Sequence, residues 1–271
     1  MRYGIVGGDM RFAHLAEMLR EEGRMAAGFL HEKAGGGCYL LERLGKCDCI
    51  IANWPMKWPL TEREISERDI MENIASGSVM LLCGPQFPSE KRWDLQYVNL
   101  WEDEILLQEN AYLTAEGAAA AVISRMSGSL RDVRCLIIGY GRIGRALTEI
   151  LINLGANVTV ATRGNAKFCR IQESGAAAID LKDLDPALAN AQAVFSTPPS
   201  MVIGKNLLYK LRSDALIVDL SSPPYGVDVD AALAMGIKAW REPNLPGRYC
   251  PLSAARVLFN AVMRWEEKEN A

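Results

Sequence analysis

The chain has 271 residues and a formal net charge of -3, and apolar residues make up 49% of it. This length suits one large domain or two modest ones with buried cores. The slightly acidic charge argues against the basic face that nucleic-acid binding requires, so we expect no nucleic-acid partner. No window holds the roughly 18 apolar residues of a membrane helix, so we expect no membrane contact.

The cysteines and histidines show no metal-site spacing. Seven cysteines occur without a Cys-x-x-Cys pair, and the two histidines, His14 and His31, are isolated. The first nine residues hold one basic residue and a short apolar run broken by glycines, unlike a secretory signal. We therefore expect reduced thiols, a cytoplasmic location and no metal.

The first part of the chain alternates short apolar runs with helical patterns. Strands are predicted at residues 3–6, 48–52 and 78–83, and helices at 12–22 and 63–75. A loop with Trp54 and Trp58 follows the second strand. Because strands that alternate with helices form parallel sheets, we predict an α/β lobe over residues 1–112.

The first predicted strand ends in Gly7-Gly8-Asp9-Met10-Arg11, which resembles a nucleotide-binding turn without its third glycine. One interpretation is a tight turn into the first helix. The other is that Asp9 and Arg11 face a substrate.

A second α/β unit is predicted over residues 113–250. Thr114 is expected to cap a helix with an alanine-rich continuation at 118–126. Further strands are predicted at 134–138, 157–161, 193–196, 215–220 and 238–240, with helices at 145–154, 166–174, 205–211 and 229–235. A last helix, 252–268, is expected to pack back on the first lobe. The predicted fold class is therefore α/β, with two Rossmann-like, doubly wound parallel-sheet lobes and a cleft between them.

A glycine motif follows the strand at 134–138 and opens a helix. It reads Gly139-Tyr140-Gly141-Arg142-Ile143-Gly144. Gly139 is expected to make the tight turn, Gly141 to admit a pyrophosphate, and Gly144 to let the helix approach the strand. The motif predicts a dinucleotide site, and the alternative is a structural turn that has lost its ligand.

The side chains that follow the next predicted strand, 157–161, indicate whether NAD or NADP is the cofactor. NAD-binding proteins usually carry an acid there, whereas this chain has Thr162, Arg163 and Lys167. Arg163 can bind a 2′-phosphate bidentately, and the other two can add donors. We therefore predict NADP, the alternative being an ordinary solvated loop arginine.

Three more loops follow strands at the same predicted edge. Ser196, Thr197, Pro198 and Ser200 lie in the first, Ser221 in the second, and residues 243–248 form the third. Hydroxyls of these loops are expected to contact the nicotinamide ribose. The alternative is that the three segments are ordinary loops, in which proline and glycine are common. No histidine follows His31, which disfavours a hydroxyacid dehydrogenase with a late histidine acid-base.

Several strings together resemble the A subunit of dipicolinate synthase. They are Asn110 to Gly117, the glycine motif, Thr197 to Met201, Ile217 to Ser222, and Leu245 to Gly247 followed by Ala254-Ala255. The resemblance implies a two-lobed NADP-dependent dehydrogenase of spore formation in the mother-cell cytoplasm. It would oxidise a dihydrodipicolinate-type intermediate to dipicolinate, together with the flavoprotein-like B subunit of dipicolinate synthase.

The resemblance also implies roles for individual residues. Arg11 and Arg248 are candidates to bind the carboxylates of a small dicarboxylate substrate, and Glu116 is a candidate base. Thr114 and Ser200 would position the substrate. We also expect the chain to form a homo-oligomer. Positions 223 and 252 are apolar where the family tends to carry basic residues, so either Arg248 compensates or the substrate differs.

Two alternatives remain at this point. One is an NADP-dependent dehydrogenase of another small hydroxy or amino acid, which the missing late histidine disfavours. The other is a non-catalytic NADP-binding subunit.

Overall fold

The computed structural model describes residues 1–29, 41–53, 67–84, 88, 91–126 and 128–270. His31, Trp54, Trp58 and residues 63–66 of the predicted second helix lie outside the described residues. The chain divides into two compact units, Met1–Asn110 with Cys250–Ala271, and Ala111–Tyr249. The boundaries expected after residues 112 and 250 lie close to these.

The first unit contains a parallel sheet with the order β2-β1-β3-β4-β5. Its strands are β1 (Arg2–Val6), β2 (Met25–Phe29), β3 (Cys49–Ala52), β4 (Val79–Leu82) and β5 (Gln96–Asn99). Alternate residues face two separate cores: Ile5 and Ile51 belong to one, Val6 and Ile50 to the other. A sheet covered on both faces is the doubly wound arrangement.

Among the described residues, the α-helices that belong wholly to this unit are α1 (Met10–Glu21), α2 (Glu67–Asn73) and α10 (Pro251–Glu269). Asp9 caps α1, because its side chain accepts from the Arg11 backbone N–H. Helix α10 packs on α1 through one apolar cluster that includes Leu15, Leu258 and Val262. The last helix is therefore part of the first unit.

Helix α3 (Glu104–Ile123) begins ten residues before the predicted cap at Thr114. The predicted start is wrong because Asp103 is the better cap: its Oδ1 accepts from the backbone N–H groups of Ile105, at 2.9 Å, and Leu106, at 3.2 Å. Thr114 lies inside the helix and is buried.

The second unit contains a six-stranded parallel sheet with the order β11-β10-β9-β6-β7-β8. Its strands are β6 (Arg134–Ile138), β7 (Asn157–Thr162), β8 (Ala177–Asp180), β9 (Ala193–Ser196), β10 (Leu216–Asp219) and β11 (Lys238–Arg241). Counted along this unit, the order is 3-2-1-4-5-6 reversed, which is that of dinucleotide-binding folds. The predicted fold class is confirmed for both units.

The helices of this unit cover both faces of its sheet. They are α4 (Arg142–Asn153), α5 (Phe168–Glu173), α6 (Leu184–Asn190), α7 (Lys205–Leu208), α8 (Val229–Ala234) and α9 (Leu245–Tyr249). The loop predicted at residues 243–248 is in part helical, since α9 begins at Leu245. This helix packs on Gly117 of α3, where an added β carbon would lie 3.0 Å from the Leu245 Cβ.

Within the described ranges, no group of three or more His, Cys, Asp and Glu side chains is arranged to hold a metal ion. Among the same residues, none of the helices combines the length and apolarity needed to cross a membrane.

Asp103 has a second role, because its Oδ2 accepts from Arg264 of α10 at 2.7 Å. Burial alone would raise the pKa of Asp103. The hydrogen bonds from Arg264, Leu106 and Ile105 outweigh that effect and lower the pKa below its ordinary value.

We predict that Asp103→Ala lowers the free energy of unfolding by about 1 to 2 kcal/mol, because it loses both the helix cap and the ion pair. Asp103→Asn should lose less, because asparagine still caps a helix. Since the folded pKa is the lower one, the wild-type advantage over Asp103→Asn should be full above about pH 4 and fade as the pH falls further. Urea denaturation at several pH values tests this; an advantage that grows on acidification would contradict it.

Candidate active site

The glycine motif lies at the carboxyl edge of the second sheet, where the strand order reverses between β6 and β9. Such a switch point is where open α/β sheets bind ligands. Gly139 has a φ of +93°, and an added β carbon would lie 2.4 Å from the Thr197 Oγ1. The Thr197 hydroxyl donates to the Ile138 carbonyl at 2.9 Å, so the loops after β6 and β9 are held together.

The other two glycines have different surroundings. A β carbon on Gly144 would lie 2.2 Å from the Gly139 carbonyl oxygen, so only glycine allows α4 to approach the turn. A β carbon on Gly141 would meet nothing within 4 Å. Gly141 is also the N-cap of α4 and has no side chain to cap it. The start of this 12-residue helix therefore has no side-chain cap and lies beside an open position at Gly141, which suits a pyrophosphate.

The rest of the motif is partly buried. Tyr140 belongs to the apolar core of the unit, Ile143 is half-buried and Arg142 is exposed. Tyr140 contributes its backbone carbonyl, which accepts from the Lys167 Nζ at 3.3 Å. The two segments predicted to bind the cofactor are therefore in direct contact.

The loop that carries Arg163 is tied to the neighbouring strand. Thr162, at the end of β7, is buried and pairs in register with Asp180, at the end of β8. The Asp180 Oδ2 accepts from the Gly164 N–H at 3.1 Å. Arg163, which lies between Thr162 and Gly164 in the sequence, is exposed. Sequence reasoning missed Asp180, because β8 was not predicted and the acid had no assigned place.

Ser196 does not present its hydroxyl at the surface. Its side chain is fully buried, and its Oγ has no hydrogen-bond partner among the described residues. A β carbon on Gly226 would lie 2.3 Å from that Oγ, so the loop after β10 covers it. Ser196 thus supports this loop, while Pro198 and Ser200 are half-buried at the same edge.

The loop after β10 is organised by Asp219, which sequence reasoning did not single out. This carboxylate is buried and accepts from the Ser221 Oγ at 2.6 Å and from the backbone N–H groups of Ser221, Gly226 and Val227. The Ser221 hydroxyl is therefore oriented by Asp219. The Arg241 guanidinium lies over the Tyr225 ring at 4.4 Å, and this cation–π contact also stabilises the loop after β10.

A second buried carboxylate follows β11. Glu242 accepts from Arg248 and from the Trp240 Nε1, and it pairs with Arg125 at 3.1 Å. Arg248, predicted to bind a substrate carboxylate, is thus held at this edge.

Glu116, the candidate base, is exposed on α3.

Arg11 lies in the first unit and pairs with the Asp9 carboxylate at 2.8 Å. The Asp9 side chain also caps α1, which agrees with the interpretation as a helix-entry turn. Contact of Arg11 with a substrate stays a prediction, as do the roles of Glu116, Thr114 and Ser200.

Known proteins resemble this chain in sequence and in fold. A family model described as shikimate / quinate 5-dehydrogenase matches residues 121–237. The A subunit of dipicolinate synthase from Bacillus subtilis (strain 168) is 30% identical over 167 residues, which are 62% of this chain and 56% of that protein. The resemblance to this dipicolinate synthase protein is confirmed. The chain thus matches a little over half the length of this relative.

Solved structures show the same fold. The A subunit of dipicolinate synthase from Bacillus halodurans has a TM-score of 0.80 and 23% identity, with 97% of each chain covered. D-lactate dehydrogenase from Escherichia coli has a TM-score of 0.66 and 10% identity, with 100% of this chain and 97% of that chain covered. The fold is therefore of the dehydrogenase type, and a nicotinamide nucleotide is the cofactor that it implies.

The two glycines give a matched test. Gly141→Ala should fold normally, because its methyl group has space, but it should weaken nicotinamide-nucleotide binding at least about tenfold by filling the pyrophosphate position. Gly144→Ala should lower the melting temperature clearly, because its methyl group collides with the Gly139 carbonyl. Thermal melts and nucleotide titrations by fluorescence check both; unchanged nucleotide affinity in Gly141→Ala would contradict the assignment.

Proposed function

We propose that the chain is an NADP-dependent oxidoreductase that oxidises a dihydrodipicolinate-type intermediate to dipicolinate. The observation that carries the proposal is the glycine turn at the switch point, joined through Lys167 to the loop of Arg163. The 30% identity to a dipicolinate synthase protein supports the choice of substrate.

The residues fit NADP. The open space at Gly141 admits the pyrophosphate, and the exposed Arg163 with Lys167 offers cations for a 2′-phosphate. Both oxygens of Asp180 already accept from backbone N–H groups, those of Gly164 and Lys182. When bound, NADP supplies the hydride acceptor of the reaction.

The proposed chemistry assigns a task to each predicted residue. A dihydropyridine dicarboxylate gives one hydride to the cofactor and loses one proton, so the ring becomes an aromatic pyridine. Arg248 binds one carboxylate and Glu116 accepts the proton, and Arg11 stays the candidate predicted from the sequence for the other carboxylate. Thr114 and Ser200 position the ring, and the Thr197 and Ser221 loops face the nicotinamide ribose.

The proposal includes the partner and setting that the resemblance implies. The relative is one subunit of a synthase, which suggests that this chain works with the B subunit of dipicolinate synthase in the cytoplasm of a spore-forming mother cell. The homo-oligomer also stays a prediction.

Arg163→Ala should weaken NADPH binding by about 10- to 100-fold, because charge-assisted hydrogen bonds to the 2′-phosphate are lost. NADH binding should change less than twofold. Arg170→Ala, at another exposed arginine nearby on α5, serves as the control. Fluorescence titrations with both nucleotides measure this, and equal losses for both would refute the 2′-phosphate assignment.

Activity is tested with purified chain, NADP and enzymatically generated dihydrodipicolinate, with and without the proposed flavoprotein-like partner. We expect reduced nicotinamide absorbance to rise in step with dipicolinate. Nucleotide binding without turnover in either mixture would contradict the proposed reaction and favour a non-catalytic subunit.

A further inference from the structure

The Glu242 carboxylate is a deeply enclosed charged group at the carboxyl edge of the second unit. It follows β11 directly, and only 1% of its side chain is exposed. A buried carboxylate is costly unless cations and hydrogen-bond donors compensate it. The proposed reaction does not use Glu242 directly, so its position calls for another explanation.

The two arginines at Glu242 differ in how they are held. Arg125 pairs with its Oε2, donates to the Ala121 carbonyl at 3.1 Å and lies over the Trp240 ring at 4.3 Å. Arg248 contacts the Oε1 through its Nη1, and 52% of its side chain is exposed. Arg125 is thus held by more contacts, although 39% of its side chain is exposed, whereas Arg248 combines one side-chain anchor with the larger exposed surface.

The cluster of Arg125, Glu242 and Arg248 carries excess positive charge. Two guanidinium groups face one carboxylate, which leaves one positive charge in excess within these three residues. An arginine has five N–H donors in a rigid fork, so a contact through one of them leaves donors for a second carboxylate. Arg248 is the more exposed of the two, and Arg125 already donates to the Ala121 carbonyl and lies over the Trp240 ring, so Arg248 offers more of its fork to an external anion.

The backbone of Arg248 is fixed as well. Its N–H donates to the Asn244 carbonyl at 3.1 Å. Helix α9 lies tightly against α3, where a β carbon on Gly117 would approach Leu245 and Tyr249 to within 3.3 Å. With both the backbone and one guanidinium nitrogen held, the orientation of the remaining donors is preset.

We propose that Glu242 is a positioning residue that orients the Arg248 fork toward a substrate carboxylate and thereby selects dicarboxylates over monocarboxylates. The proposal rests on the proposed function, since it places Arg248 at the substrate. It differs from a purely structural role, in which Glu242 only joins β11, the turn after α3 that carries Arg125, and α9. It also differs from competition, in which Glu242 would weaken substrate binding by occupying Arg248.

A double-mutant cycle separates these possibilities. Dissociation constants of dipicolinate and of the monocarboxylate picolinate are measured for the full chain saturated with NADPH. We expect Arg248→Ala to weaken dipicolinate binding about tenfold or more and to reduce its advantage over picolinate. Glu242→Gln should do the same, and adding Arg248→Ala to it should then cost less than twofold.

Three results of this cycle would overturn the proposal. Tighter dipicolinate binding in Glu242→Gln, with a larger Arg248→Ala effect in that background, would show competition. Additive losses would show a structural role. If wild-type chain with bound NADPH does not bind dipicolinate, the proposed substrate fails, and this inference fails with it; binding without coupling refutes the inference alone.

Two further variants distinguish a change in ligand preference from a loss of folding. Arg248→Lys changes an exposed side chain and keeps its charge, so it should fold, yet it should lose the dicarboxylate preference because lysine lacks the fork. A retained preference would overturn the proposal. Arg125→Ala removes the other arginine that pairs with Glu242. It should lower the melting temperature but leave the ratio of the two dissociation constants within twofold; a lost ratio would favour the structural role.

Discussion

Position 144 has no room for a methyl group, and the packing of α4 against the glycine turn of the second unit depends on that constraint. With glycine there, α4 begins directly at the turn after β6, and the Gly139 carbonyl lies where a β carbon would otherwise be. The same approach places the start of α4 beside Gly141, where a β carbon would meet nothing within 4 Å. A bulkier residue would displace the helix and the amides at its start, which we propose bind the pyrophosphate.

Two buried carboxylates, Asp219 and Glu242, stabilise the loops around that site by different means. Asp219 accepts mainly from backbone N–H groups, so it fixes the path of the chain from Ser221 to Val227. Glu242 accepts from side chains, so it fixes where two arginines lie. Loops that are organised before a ligand arrives lose less conformational entropy when it binds.

The sequence alone was sufficient to predict those features of the fold that depend on a local residue pattern. The glycine motif and the central strands were predicted because apolar runs and glycine spacing are local signals. The edge strands β2, β5 and β8 were missed, since alanine-rich or polar segments acquire their pairing only from a neighbouring strand. The burial of Ser196 and the partners of Glu242 depend on residues distant in sequence, so no local pattern indicates them.

The place of Asp180 bears on cofactor choice. An acid at the end of the second strand of such a unit usually accepts from the ribose hydroxyls and repels a 2′-phosphate. Here the acid is at the end of the adjacent strand, and both oxygens accept from backbone N–H groups. The oxygen that accepts from Gly164 stabilises the Arg163 loop, and the other accepts from Lys182 in the turn after β8. The same carboxylate chemistry that favours NAD elsewhere is thus used here to hold a cationic loop in place.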